Sequence, residues 1–473
     1  VRKKFGSVVF GISLAVSFFI APSAYGQSGS PSPGGGTENV FSVDQEATCP
    51  SLQAFYARAP ESPNQADIEL YWASLSSDLM ALMPSCLRSS EYFALLGAAQ
   101  LNSDQNMFAI ESLERALLLD PDSGAARIDY AQALFNAGQL FPAIEIGEEL
   151  LMRDNLPVGL REEVARRNRD WSARTKDHSL VIDLSGGYDN NLNGAPRSDQ
   201  ITLTLSGEPI TLSLGNDYRS VAGFYTNLGV SSQYRRLTSS SQSHWTNEVK
   251  GRLSGDERSD LVQFDSRYTF LRPSRERSLQ VDGGLTHLLF GGSPLFSAAQ
   301  FSGRYQVNLA TSCDPSVGLQ GQRQYFRQQT SLDGVEGRLF IGLSCGSNGR
   351  VQEGGSVLSL EGGLVRNLAV KSARPGGDRS GWQLSAQWQN DSFLAQISHV
   401  GIDDSRAYSS VLADGARRWV RRSQLFFQYR RPIQLAGVKA TALFNFFHQE
   451  QESNINLFET DDTTIEFGLR LGF

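Results

Sequence analysis

Residues 464–473 alternate without a break. Ile465, Phe467, Leu469, Leu471 and Phe473 fall on one side of an extended strand, and Thr464, Glu466, Gly468, Arg470 and Gly472 on the other, because strand side chains alternate with period two. The same texture recurs upstream. Trp382, Leu384, Ala386 and Trp388 alternate with Gln383, Ser385, Gln387 and Gln389, and the run stops at the turn Asn390-Asp391. Trp245, Val249 and Leu253 alternate with Thr246, Glu248, Lys250 and Arg252; Leu425, Phe427 and Tyr429 alternate with Gln424, Gln428 and Arg430. One apolar face, one charged or amide face and aromatics near the strand ends are the pattern of a membrane β-barrel, with lipid outside and a wet lumen inside. A soluble barrel or solenoid strand also alternates, so other features must separate the two.

From His178 onward the chain reads as about 14 such strands, parted by Gly, Ser, Asn and Asp clusters. An even count leaves both barrel termini at one end. Connections at that end are short, as at Asn390-Asp391 and Arg431-Pro432, while those at the other end include 190–219, 401–419 and 450–462. Short turns on the periplasmic side and long loops outside are the usual asymmetry.

Before the strands the period changes. Phe93, Leu96, Gly97, Ala109, Leu113, Ala116 and Pro121 match the tetratricopeptide (TPR) pattern. The small residues let two helices approach, and Pro121 ends the second. A 34-residue shift places Ala131, Leu134 and Ala143 in the same slots. Residues 67–83 form another amphipathic helix, and 160–176 a polar connecting one. The expected fold is therefore α + β and multidomain: a TPR-like helical domain over 49–157, a connecting helix over 158–178 and a transmembrane antiparallel barrel over 179–473.

The N-terminus supplies the export signal that a barrel of this kind needs. Arg2, Lys3 and Lys4 precede an apolar stretch from Ser7 to Ala21, and Ala24-Tyr25-Gly26 offers small residues for cleavage, so residues 1–26 are expected to be a signal peptide. Residues 27–48, rich in Ser, Pro and Gly, read as a flexible linker. No apolar run approaches the length of a transmembrane helix. Four cysteines fall as Cys49 with Cys86 and Cys313 with Cys345. Two disulfides are expected in an oxidising compartment, and strand counting puts Cys313 and Cys345 at the periplasmic ends of neighbouring strands. Charge is uneven: residues 50–157 hold 15 Asp/Glu against 5 Arg and no Lys. That face either recruits a basic partner or is simply solvated.

The barrel region opens with Gly187-Tyr188-Asp189-Asn190-Asn191-Leu192-Asn193-Gly194-Ala195-Pro196 and closes with Ser453-Asn454-Ile455-Asn456-Leu457-Phe458 ahead of the Phe473 strand. With TPR-like helices upstream, these motifs resemble the surface lipoprotein assembly modulator (Slam) family, over residues from about 90 to the end. The resemblance implies a 14-stranded outer-membrane barrel that helps client lipoproteins or soluble secreted proteins reach the cell surface. It also implies outer-membrane lipids and the barrel-assembly machinery as partners, the latter recognising the terminal Phe473. Read from the residues alone, Asp189, Asn190, Asn191 and Asn193 either build a strand-to-loop turn or touch a client. Arg417, Arg418, Arg421 and Arg422 either face the pore mouth or lipopolysaccharide phosphates, or form a solvated junction.

No catalytic constellation is present. His178, His244, His287, His399 and His448 are scattered, and no HExxH motif, phosphate loop or G-x-S-x-G elbow appears. The expectation is a monomeric, cofactor-free translocator that binds no nucleic acid. The alternatives are a passive porin or polysaccharide-export pore with a helical scaffold and, more remotely, an adhesin.

Overall fold

The computed structural model describes residues 49–56, 65–153, 156–205, 208–309, 312–346, 355–435 and 437–473. The expected signal peptide and linker lie outside the described residues. Two units result, a helical one ending at Lys176 and a strand unit from Asp177.

The helical unit contains α1 (Gln53–Tyr56), α2 (Gln65–Leu82), α3 (Ser90–Asn102), α4 (Asn106–Leu119), α5 (Gly124–Asn136), α6 (Leu140–Leu151) and α7 (Val158–Ala173). The hairpin α3–α4 recurs as α5–α6 at an offset of 34 residues, from Ser90 to Gly124 and from Asn106 to Leu140. Local chemistry keeps the same phase. Ser89 and Ser123 cap α3 and α5, each hydroxyl accepting a backbone N–H, from Tyr92 at 3.2 Å and from Ala126 at 3.4 Å, which satisfies an otherwise orphan donor. Asp104 and Gly138, also 34 apart, take φ of 59° and 79° in the two tight links, a conformation that short polar residues and glycine tolerate. A Cβ on Gly97 would overlap the Leu113 side chain, so Gly97 is what lets α3 and α4 touch. Leu79, Leu96, Leu113, Ala109 and Ala116 are fully buried, and the Tyr92 hydroxyl donates to the Leu79 carbonyl at 2.7 Å. Pro121 follows the end of α4 and cannot continue it. The Cys49–Cys86 disulfide ties the segment before α1 to the link before α3. The polar helix expected as a connector, α7, groups with the helical unit.

The second unit is a closed antiparallel barrel of 14 strands. They are β1 (Lys176–Asp189), β4 (Gly223–Leu237), β5 (Gln242–Ser254), β6 (Leu261–Pro273), β7 (Arg277–Phe290), β8 (Ser293–Val307), β9 (Cys313–Phe326), β10 (Gly334–Gly346), β11 (Val357–Ala369), β12 (Arg379–Gln389), β13 (Phe393–Ala407), β14 (Arg417–Leu435), β15 (Val438–Ser453) and β16 (Thr460–Gly472). A separate hairpin, β2 (Gln200–Leu205) with β3 (Glu208–Ser213), sits in the first long connection. Each barrel strand pairs with its sequence neighbour, and β1 pairs with β16, Val181 opposite Gly472 through to Asp189 opposite Thr464. Closure leaves no free edge among the barrel strands.

At the near end, where β1 starts and β16 finishes, the links 238–241, 274–276, 308–312, 390–392 and 436–437 are short. The exception is 347–356, most of which lies outside the described residues. At the far end the links 190–222, 327–333, 370–378 and 408–416 are long, although 291–292 is a tight turn. Cys313 and Cys345 face each other in register at the near end and are bonded.

The two faces separate as alternation requires. Leu285, Phe301, Leu339, Ile341, Leu364, Leu384, Ile397 and Phe467 are exposed on the outside. Trp245 stands in register between Tyr234 and Tyr268 on adjacent strands towards the near end, and Tyr188 packs edge-on against Phe224 towards the far end. An exposed apolar belt between aromatic bands has no place in water. The strand unit is a membrane-spanning barrel of the outer-membrane kind. Among the described residues no helix is long and apolar enough to cross a membrane.

Candidate functional site

The inner face is largely polar, with Phe340 among its apolar exceptions, and many of its charges are paired. Arg470 holds Asp183 through two bonds of 2.7 and 3.0 Å across the β1–β16 seam. Glu361 on β11 sits between Arg304 on β8 and Arg338 on β10. Asp282 accepts from Thr269, Gln280 and Ser302 at 2.7 to 3.1 Å. Gln424 bridges Ser398 and Gln449. Such ladders satisfy groups that would be costly to bury unpaired, and they leave a surface on which a polar solute or an extended chain can exchange hydrogen bonds.

The opening motif closes the seam. At Gly187 a Cβ would collide with the Ile465 carbonyl and with the Tyr225 hydroxyl, 2.8 Å away. The missing side chain lets Tyr225 of β4 reach across β1 and donate to Glu466 of β16 at 3.2 Å; Asn227 and Asn445 hold the same carboxylate. Asp189, only 1 % exposed, accepts from the Asn191 N–H at 2.7 Å and from Arg252 Nη1 at 3.0 Å. The Asn191 amide donates to the carbonyls of Ala195 and Asp461 and accepts from the Ala195 N–H. Asn193 bonds the Arg219 carbonyl and the Val221 N–H. Ala195 and Pro196 are buried, while Tyr188 faces outward. These bonds build a strand-to-loop turn.

The closing motif meets it at the far end. The Ser453 hydroxyl donates to the Trp419 carbonyl at 2.7 Å, and Asn454 bonds both the Arg417 carbonyl and the Trp419 N–H. Ile455, Leu457 and Phe458 bury themselves with Leu412, and Ile201, Leu203 and Tyr408 pack against them. The β2–β3 hairpin is held there by Leu203 opposite Leu412 and by the Thr204 N–H to Val411 carbonyl bond of 2.8 Å. Three loops from neighbouring strands thus share one small core at the barrel mouth. Downstream, Phe467, Leu469, Leu471 and Phe473 lie on the outward face of β16, and Phe473 continues its ladder by bonding Leu180 in both directions. The TPR-pattern residues belong to the other unit: Phe93, Leu96, Ala109, Leu113 and Ala116 are in its core, Gly97 is buried between α3 and α4, and Pro121 is exposed.

The arginine group divides. Arg418 is 8 % exposed, grips the buried Asp404 with bonds of 3.0 and 3.1 Å, and lies over the rings of Phe458 and Tyr408 at 4.4 and 4.7 Å. Arg422 bonds Gln451 on the inner face. Arg421 points outward beside Trp419, paired with Asp403 at 3.0 Å, and Arg417 is exposed. The partners Asp404, Arg379 and Arg374 were not singled out by sequence. Arg379 lies 3.3 Å from Asp404. The loop residue Arg374 is 3 % exposed and bonds Asn367 at 2.5 Å, and burial pulls its guanidinium below the usual range. Only the inward parity of Asp404 and Arg418 on their strands signals them. No group of three or more His, Cys, Asp or Glu suited to a metal occurs among the described residues.

No family model and no curated protein matches this chain. Solved structures offer distant likenesses. The type III secretion translocator chaperone SycD of Yersinia enterocolitica is 17% identical over 26% of this chain and 84% of its own, with a TM-score of 0.22. An anion-selective porin from Comamonas acidovorans is 8% identical over 63% of this chain and 99% of its own, TM-score 0.30. CdiB from Acinetobacter baumannii is 8% identical over 62% of this chain and 60% of its own, TM-score 0.31. At these scores they carry no weight for function.

Proposed function

We propose that this protein is an outer-membrane translocator of the Slam type. In this reading the helical unit stands in the periplasm and engages a client lipoprotein or secreted protein, and the barrel offers it a path to the surface. What supports the reading is one chain that joins a 34-residue helical-hairpin repeat to a 14-strand barrel with a hydrogen-bonding inner face. Stacked helical hairpins present extended surfaces on which unfolded segments bind. A barrel alone has no such surface, and a passive pore has no use for one. In this reading the client moves by binding energy, by folding outside or on an upstream energy source, with no catalytic step in this chain.

Surface labelling of a candidate client encoded beside this gene tests the proposal. Deleting the helical unit should leave a heat-modifiable folded barrel and sharply reduce labelling of the client. Equal labelling with and without the whole gene would remove client delivery and leave the porin reading.

A further inference from the structure

Five neighbouring strands, β8 to β12, carry three carboxylates, and all three have the inward parity. Glu336 accepts from Asn367, Glu361 pairs with Arg338, and Asp314 falls on the same face. The outward face of these strands nevertheless holds two arginines. Arg366 of β11, two residues beyond Leu364, stands opposite Gly337 of β10, which stands opposite Gly321 of β9. Arg323 of β9 stands opposite Val335, one outward row further towards the far end. Arg366 is exposed and makes no hydrogen bond or ion pair among the described residues; Arg323 has the Tyr325 ring, 5.0 Å away, and no carboxylate. Nothing lies within 4 Å of where a Cβ would stand on Gly337 or Gly321, so the surface between the two arginines is open.

A cation on a lipid-facing surface is costly unless it reaches the interface or meets an anion. Leu368 and Val335, level with Arg323 and beyond Arg366, are still apolar and exposed, so Arg366 lies inside the belt, at its far edge. The two arginines are two strands and two residues apart, about 12 Å at the backbone, a separation that suits two anionic groups better than one. On the same strands, nearer mid-barrel, is a hollow of about 550 Å³ whose walls include Ile341, Leu343, Leu360, Gly362, Leu384 and Ala386. Gly362 is four residues down β11 from Arg366, about 13 Å, within the length of one acyl chain.

We propose that the outward face of β9–β12 binds one lipid whose headgroup carries two phosphates, set against Arg323 and Arg366, and whose acyl chain enters the hollow at Gly362. In an outer membrane that chemistry belongs to the glycolipid of the outer leaflet, and the far end carries the long loops that face outside in such barrels. This does not depend on client delivery.

The test titrates full-length protein in detergent with lipid A, which carries two phosphates, and with the same glycolipid stripped of phosphate, and reads retained lipid by native mass spectrometry. One lipid A per barrel is expected, with the stripped form bound at least about tenfold more weakly. Arg366→Gln and Arg323→Gln should each weaken lipid A about tenfold, the value of one charge-assisted contact, and leave the stripped form unchanged. Ala386→Phe, which fills the hollow, should weaken both lipids. Arg236→Gln, at an exposed arginine near the other end of the barrel on β4, should change neither. Heat-modifiable migration checks that each variant is folded, and the glutamine variants remove charge from a lipid-facing surface. No retained lipid A, equal retention of the two lipids, or retention indifferent to Arg366→Gln and Arg323→Gln would overturn the proposal.

Discussion

Replacing Asp189 by alanine probes the junction where the opening motif, the first long loop and the barrel seam meet. The carboxylate is 1 % exposed and holds the Asn191 N–H and Arg252. Cutting one partner from a buried ion pair costs about 3–5 kcal/mol when the other is stranded. Arg252 is not stranded: it keeps the Leu192 carbonyl at 2.5 Å, and about a fifth of its side chain meets solvent. The expected loss is therefore smaller, about 2–3 kcal/mol, roughly one charge-assisted hydrogen bond plus an unpaired N–H. It should fall on the loop, because the β1–β16 ladder does not use this side chain. Limited proteolysis of the folded protein within 190–222 reads it out. When opening is fast relative to cleavage, the rate follows the open population, so cleavage should speed up about 30- to 140-fold. Asp189→Asn, which keeps the acceptor for Asn191, should fall between. Unchanged cleavage in Asp189→Ala would refute the view that this carboxylate fastens the mouth.

Three further outcomes follow from the same structure. Ile341→Arg or Leu364→Arg places a charge on the outer belt, where each residue is 68 % exposed; near mid-membrane this costs about 2–4 kcal/mol, so the folded fraction in lipid vesicles should drop while Gln383→Arg, at a partly exposed position of the inner face, folds normally. Asp129 in α5 is held up to about 6 by burial, against the pull of Arg167. Its neutral form is thus the one the folded unit favours, and stability is full below the unfolded value, about 3.9, and falls as pH rises towards 6. Asp129→Asn should accordingly raise the helical melting temperature at pH 7.5 but not at pH 4. Peptide mapping without reductant should recover Cys49 joined to Cys86 and Cys313 to Cys345; free thiols or exchanged pairs would contradict the register of β9 and β10.

The barrel was largely legible because lipid outside and a wet lumen inside impose one rule on every strand, and residues such as Trp382–Gln389 obey it openly. The hairpin phase was legible for a similar reason, since Gly97 and Pro121 answer local steric demands. The mouth was not. Residues 200–213 carry two six-residue strands too short to cross a membrane, and their placement depends on Leu412 and Phe458, more than 200 positions away. The Arg374–Arg379–Asp404–Arg418 cluster draws on three strands and a loop, so no single segment announces it.

The central claim is that a client passes through the lumen, and site-specific photo-crosslinking in living cells tests it most directly. A crosslinking residue at Gln383 or Gln449 lies on the inner face; one at Leu384 lies on the outer belt. The account predicts client adducts from the inner positions while client is being exported, and none from Leu384. A client that reaches the surface in the same cells without any inner-face adduct would contradict it.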